Sequence, residues 1–158
     1  MKLSGNRLIE SIVGMKAKQM IHPNEGAIPF AKFTKPAYQA RFALITTAGV
    51  HLKTQPVFDV EAGDSTVRFI PKQCTDQDLM ISHTHFDRRD ADQDINCVFP
   101  LTRLKELAVE GIIGEAAETH YGLMGYIPNT SMLIHETIPL IIKQLQAEKV
   151  DAVILNPG

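Results

Sequence analysis

RFALITT, residues Arg41–Thr47, is a short apolar run that ends at Ala48-Gly49, the form expected of a buried strand. A second run of this kind, VDAVIL at Val150–Leu155, closes on Asn156-Pro157-Gly158 and reads as a parallel strand. Between them the β-prone STVRFI predicts a strand around Thr66–Ile70, and DLMIS predicts another over Asp78–Ser82. Helical spacing separates these strands. In PLTRLKELAVEG, Pro100 suits a first helical turn, Leu101, Leu104, Leu107 and Ala108 form one face, and Gly111 stops the helix. SMLIHETIPLIIKQLQAEK is also helical, with Pro139 either starting a second helix or kinking the first. At the start of the chain, Leu8, Ile9, Ile12, Val13 and Met20 predict a helix over residues 4–20, with Ser4 as its N-cap. Residues 21–40, with Pro23, Pro29 and Pro36, and residues 112–130, rich in glycine and polar groups, read as irregular.

Alternating helix and strand predict an α/β fold: a largely parallel sheet flanked by helices, in a Rossmann-like or flavodoxin-like three-layer arrangement. In such sheets ligands gather where strands end at their carboxyl side. TTAGVH, SHTHFD and the terminal Asn-Pro-Gly are expected there. The 158 residues suit a single domain over 1–158. A final strand with no helix after it suggests that the C-terminal part of the fold is missing.

Composition narrows the function classes. Apolar residues make up 44% and charged residues 22%, with a mean hydropathy of −0.05, which argues against disorder. A net charge of −2 offers nothing to nucleic acid or an anionic membrane. The sequence holds no apolar run of the roughly 18–20 residues a membrane span requires. Charged residues interrupt the N-terminal apolar positions, unlike a signal peptide. Cys74 and Cys97 form no CxxC pair, which fits a reducing, cytoplasmic setting.

Chemistry-bearing side chains concentrate in HTHFDRRD, His83–Asp90. On an extended segment His83, His85 and Asp87 alternate and can point to one side. Such an array offers ligand types suited to Zn or Fe(II) and partly resembles the HxHxDH signature of metallo-β-lactamase-like hydrolases. Arg88 stands where the last histidine would be and would repel a dication, so no metal is assigned. The same residues also suit a polar loop held by His–Asp and Arg–Asp pairs, or a substrate site. His51, just past a strand end, could bind a carboxylate or act as an acid; a hydrogen-bonded loop histidine is the plainer alternative. His120-Tyr121 opens HYGLMGYIP, whose small residues allow a ligand close to the backbone or simply a tight turn. His135 reads as structural. Cys97, between Asn96 and Val98-Phe99, and Cys74 read as small apolar side chains more than as nucleophiles.

In order, GVHLKTQPVFD, ISHTHFDRRDADQDINCVFPLTRLKELAVEGIIG, HYGLMGYIPNT and VDAVILNPG resemble the B, or selenoprotein, subunit of the glycine/sarcosine/betaine/D-proline reductase family. HTHFD and HYGLMGY are more similar to its D-proline branch. The resemblance implies an oxidoreductase subunit that cleaves the C–N bond of an amino acid, D-proline yielding 5-aminovalerate. It implies a partner subunit whose pyruvoyl group anchors the amino acid, and a selenolate on this subunit that attacks the α-carbon. A neighbouring thiol and an external dithiol or thioredoxin-like donor then restore the enzyme. His83, His85, Asp87 and Arg88 become catalytic candidates, and His51, His120 and Tyr121 substrate-binding ones, within an oligomer. Two further readings are a metal-dependent hydrolase using His83, His85 and Asp87, and a non-catalytic module cradling a small carboxylate.

In that family the selenocysteine, or a cysteine in some members, follows a strand like VDAVIL. It is therefore expected immediately after Gly158, and the chain as given is expected to be inactive alone. An apolar area around Val150–Leu155 is expected to lie uncovered. The codon after Gly158 is predicted to be UGA, followed by an open frame encoding a further thiol. Sequencing the gene checks this, and a different stop codon there would contradict it.

Overall fold

Leu44 and its neighbours form the strand from which the sheet is built. The computed structural model describes residues 30–84 and 86–157; the helix expected over 4–20 lies outside them. Residues 30–40 carry only a short 3₁₀ turn, Ala37–Gln39. β1, Arg41–Thr46, is then joined in parallel by three later segments. β5 (Glu115–Ala116) pairs with its first residues, and β6 (Thr119–Gly122) pairs with Ile45 and Thr46 on the same edge. β7 (Ala152–Asn156) runs along the other edge, from Phe42 to Thr46. β3 (Arg68–Pro71) closes the far side, antiparallel to β6. The fold is thus α/β with a mostly parallel sheet, as the alternating pattern predicts.

Two of the expectations need correction. Residues 112–130 are not irregular throughout, because they contain β5 and β6. These strands are two and four residues long, and Gly114, Gly122 and Gly125 interrupt any apolar run. DLMIS does form a strand, β4 (Leu79–Ile81), but outside the main sheet. It pairs antiparallel with β2 (Val50–Leu52), which follows the turn after β1.

Successive residues of β1 face opposite sides, as a strand requires. Leu44 lies in a cluster with Ile70, Phe99, Leu101 and Leu104. Ala43 lies in a second cluster with Tyr121, Leu123 and Ile141. The first cluster takes in α2 (Leu101–Val109), whose Leu101 and Leu104 are buried while Leu107 and Ala108 pack at its edge. Pro100 precedes that helix, and Gly111, in the left-handed region at φ 72°, follows it. A five-residue helix, α1 (Arg89–Gln93), lies earlier in the chain. The second cluster takes in α3 (Ile138–Ala147). A π-helical turn, Leu133–Thr137, runs directly into α3, and the Ile138 N–H reaches back to the Leu133 carbonyl. Pro139 has no N–H to give to the preceding turn, so the helix widens there and continues. Lys149, at φ 54°, turns the chain from α3 into β7. On β7, Val153 packs inward, whereas Leu155 is 71% exposed.

β1 changes partner halfway, and a side chain bridges the gap. Ala117 N–H donates to the Phe42 carbonyl and Leu123 N–H to the Thr46 carbonyl. Between them, the Leu44 N–H donates to Nδ1 of His120 at 3.0 Å. His120 is fully buried, with its ring edge-on to Phe99. Burial lowers its pKa from 6.5 to about 4, which keeps Nδ1 a free acceptor at neutral pH.

An unfolded chain protonates His120 below about pH 6.5, while the folded one resists until about pH 4. Stability is therefore complete above pH 6.5 and falls as the pH drops from 6.5 to 4. At about 1.4 kcal/mol per tenfold change in proton affinity, the loss is about 3 kcal/mol. Urea unfolding between pH 7 and pH 4 measures it. A His120→Phe variant should lose that pH dependence, and should be less stable at pH 7 by about 1–3 kcal/mol, because Leu44 N–H is left buried without an acceptor.

Candidate active site

The carboxyl ends of β1 and β7 meet at one place, where the Thr47 N–H donates to the Asn156 carbonyl at 3.1 Å. After Thr47 the chain turns sharply. Ala48 N–H donates to the Thr46 hydroxyl, and Ala48 bridges to Met124. Gly49 adopts φ 71°, and a Cβ there would lie 2.3 Å from the Ser82 carbonyl oxygen. Only glycine permits this backbone-to-backbone approach, which brings the segment after β4 against the end of β1. TTAG, Ser82-His83 and Asn156 therefore converge, with Ser82-His83 brought in by the approach at Gly49, since β4 lies outside the parallel sheet.

His83 occupies this junction. It is 3% exposed, and its ring packs edge-on to Phe86 at 5.0 Å between centroids. A Cβ on Gly125 would stand 2.9 Å from His83 Nε2 and 3.0 Å from the Thr47 carbonyl oxygen. The bare backbone of Gly125 is what lets the imidazole lie beside the strand end. A cleft of about 410 Å³ is lined by Ser65, Pro128, Asn129, His135 and Glu136, and not by His83, Thr47 or Gly125. It is roomy enough for a small amino acid.

The rest of HTHFDRRD diverges from His83. His85 lies outside the described residues. Asp87 is exposed and forms a salt bridge with Arg89 at 2.5 Å, and that guanidinium holds its carboxyl below the usual carboxylate range. Arg88 turns inward: Nη1 donates to the carbonyls of Ile81 and His83, and Nη2 donates to Asp92. Among the described residues, no group of three or more His, Cys, Asp or Glu side chains is placed to hold a metal ion.

The three proposed substrate groups occupy the interior. His51 is fully buried, with Nδ1 2.8 Å from the Leu52 carbonyl oxygen and Nε2 2.8 Å from Ser82 Oγ. His120 serves the β1 ladder. Tyr121 is fully buried, edge-on to Phe69, and burial raises its phenol pKa. His135, expected to be structural, is exposed at the cleft. Cys74 is buried, and burial pushes its thiol pKa up; Cys97, read as a small apolar side chain, is exposed. Sequence reasoning missed Ser82 and Gly125, though the small residues around Gly125 signalled a close approach.

The family described as glycine/sarcosine/betaine reductase selenoprotein B matches residues 7–157. The D-proline reductase subunit gamma of Acetoanaerobium sticklandii is 41% identical over 125 residues, covering 79% of this chain and 51% of that protein. The chain thus spans about half the length of this curated relative. No solved structure matches. No helix among the described residues is long and apolar enough to cross a membrane.

A methyl group at position 125 must displace either the His83 ring or the Thr47 carbonyl. Gly125→Ala is expected to lower stability by about 1–3 kcal/mol and to shift the His83 ring resonances in histidine-labelled protein. Thermal unfolding and NMR spectra check both; unchanged His83 signals would contradict the contact.

Proposed function

The chain belongs to the glycine/sarcosine/betaine reductase selenoprotein B family, and from that premise we propose that it forms the redox-residue-bearing part of an amino-acid reductase specific for D-proline. Likeness to a D-proline reductase subunit supports this choice of substrate. The product is 5-aminovalerate, released after cleavage of the ring C–N bond. The observation that carries the reading is the convergence of His83, Gly125 and Thr47 beside the end of β7. A selenocysteine or cysteine immediately after Gly158 would emerge from that end of β7. Ionised, it would supply the nucleophile for the α-carbon.

The chain's own residues supply proton handling and shape. His83, nearly buried and within the same junction, holds or delivers the proton that C–N cleavage requires at nitrogen. Its burial excludes bulk water from that transfer. Phe86 and the bare backbone of Gly125 fix the ring plane. His51, His120 and Tyr121, all interior, shape the scaffold instead of touching substrate. Asp87 and Arg89, exposed as a pair, belong to the outer rim. The amino acid is anchored on a pyruvoyl-bearing partner subunit, and a dithiol or thioredoxin-like donor returns the electrons. The setting is the cytoplasm.

The test is turnover by the full-length chain assembled with its partner subunit. D-proline with a dithiol should yield 5-aminovalerate. His83→Gln should lower kcat about 10²–10⁴-fold, with KM changed less than threefold by order of magnitude. Activity on glycine or betaine in place of D-proline would overturn the substrate; normal turnover in His83→Gln would overturn the role of His83.

A further inference from the structure

Ile81, Ser82 and His83 are three consecutive residues: the carbonyls of the outer two share Arg88, and Ser82 between them is tied to Gly49 and His51. Arg88 Nη1 donates to the Ile81 carbonyl at 3.2 Å and to the His83 carbonyl at 3.3 Å. Arg88 Nη2 donates to both carboxylate oxygens of Asp92, at 3.1 and 3.3 Å. Ser82 N–H donates to the Gly49 carbonyl at 2.9 Å. Ser82 Oγ lies 2.8 Å from His51 Nε2.

The direction of the last bond follows from the far side of the ring. His51 Nδ1 is 2.8 Å from the Leu52 carbonyl oxygen, which can only accept, so Nδ1 carries the hydrogen. Nε2 therefore offers a lone pair, and the Ser82 hydroxyl donates into it. A serine–histidine contact also suggests an activated nucleophile. The surroundings argue otherwise: the ring is fully buried, and Nδ1 faces a neutral carbonyl instead of a carboxylate. Burial and the nearby Arg68 both disfavour the imidazolium that a catalytic base must become. The pair is a neutral, fixed strut.

We propose that Arg88, together with the Ser82–His51 strut, is a positioning device that sets the backbone on which His83 is carried, and that Arg88 does not touch substrate. The proposal rests on the reading of His83 as the proton-handling residue. A guanidinium fork already shared among two carbonyls and a carboxylate would have to abandon them to bind a substrate carboxylate. Lysine keeps the charge but lacks the planar fork that reaches all three.

The test uses Arg88→Lys, Arg88→Met, Ser82→Ala and Ser82→Thr in the full-length chain assembled with its partner subunit. Arg88→Lys should lower kcat about tenfold or more while KM stays within about twofold. Ser82→Ala should act in the same direction, and Ser82→Thr should recover most of what it loses. In histidine-labelled protein, Arg88→Lys should split or broaden the His83 ring signals. If Arg88→Met does not fold, Arg88→Lys and Ser82→Ala decide the question. A rise in KM with unchanged kcat would mean that Arg88 holds the substrate carboxylate, which overturns the proposal. Unchanged kinetics, or covalent labelling of Ser82 by a fluorophosphonate, would overturn it too. If the wild-type assembly turns over no amino acid, the reductase reading falls. The positioning claim then stands or falls on the His83 signals alone, and unchanged signals in Arg88→Lys end it.

Discussion

β1 carries the sheet because every part of its inward edge has a partner, although no single strand supplies them all. β5 serves Arg41 and Phe42, β6 serves Ile45 and Thr46, and the imidazole of His120 accepts the Leu44 N–H between them. A buried amide without an acceptor would cost about as much as a lost hydrogen bond, and often more. This one contact therefore allows the chain to leave β1 at Ala117, bulge, and rejoin it at Thr119–Gly122. It also requires a neutral ring, which burial ensures. A histidine whose residue type suits chemistry is committed to architecture.

The candidate site depends on backbone approaching backbone. Gly49 lets the segment after β4 press against the turn after β1, and Gly125 lets the His83 ring lie beside Thr47. Neither approach tolerates a side chain. The site is consequently assembled from segments some thirty to a hundred residues apart in sequence, roughly, held by loops whose positions are fixed by hydrogen bonds to carbonyls.

The charges of HTHFDRRD do not act as one cluster. Arg88 faces inward to carbonyls and Asp92, Asp87 and Arg89 satisfy one another at the surface, and His83 lies at the junction with Phe86 against its ring. An exposed ion pair contributes little to stability.

The sequence by itself determined the elements whose signal is local. RFALITT and VDAVIL carry the unbroken apolar runs Phe42–Ile45 and Ala152–Leu155, the form of a strand in a parallel sheet, and they pair side by side as β1 and β7. Leu101, Leu104, Leu107 and Ala108 declare the buried face of α2 by their spacing, and Pro100 and Gly111 mark its ends. Strand polarity brought the ends of β1 and β7 together, whereas Ser82-His83 reached them through the close approach at Gly49. Only the tertiary structure decided the rest. β5 and β6 are too short for a periodic signal, and they are strands because β1 offers them hydrogen bonds. β4 left the main sheet because β2, turned back by Gly49, was there to pair with it. The roles of His51, His120 and Arg88 were open in sequence because each can take part in several kinds of hydrogen bond or carry charge. Which of these each one does is set by the carbonyl, amide or carboxylate that the fold brings within about 3 Å.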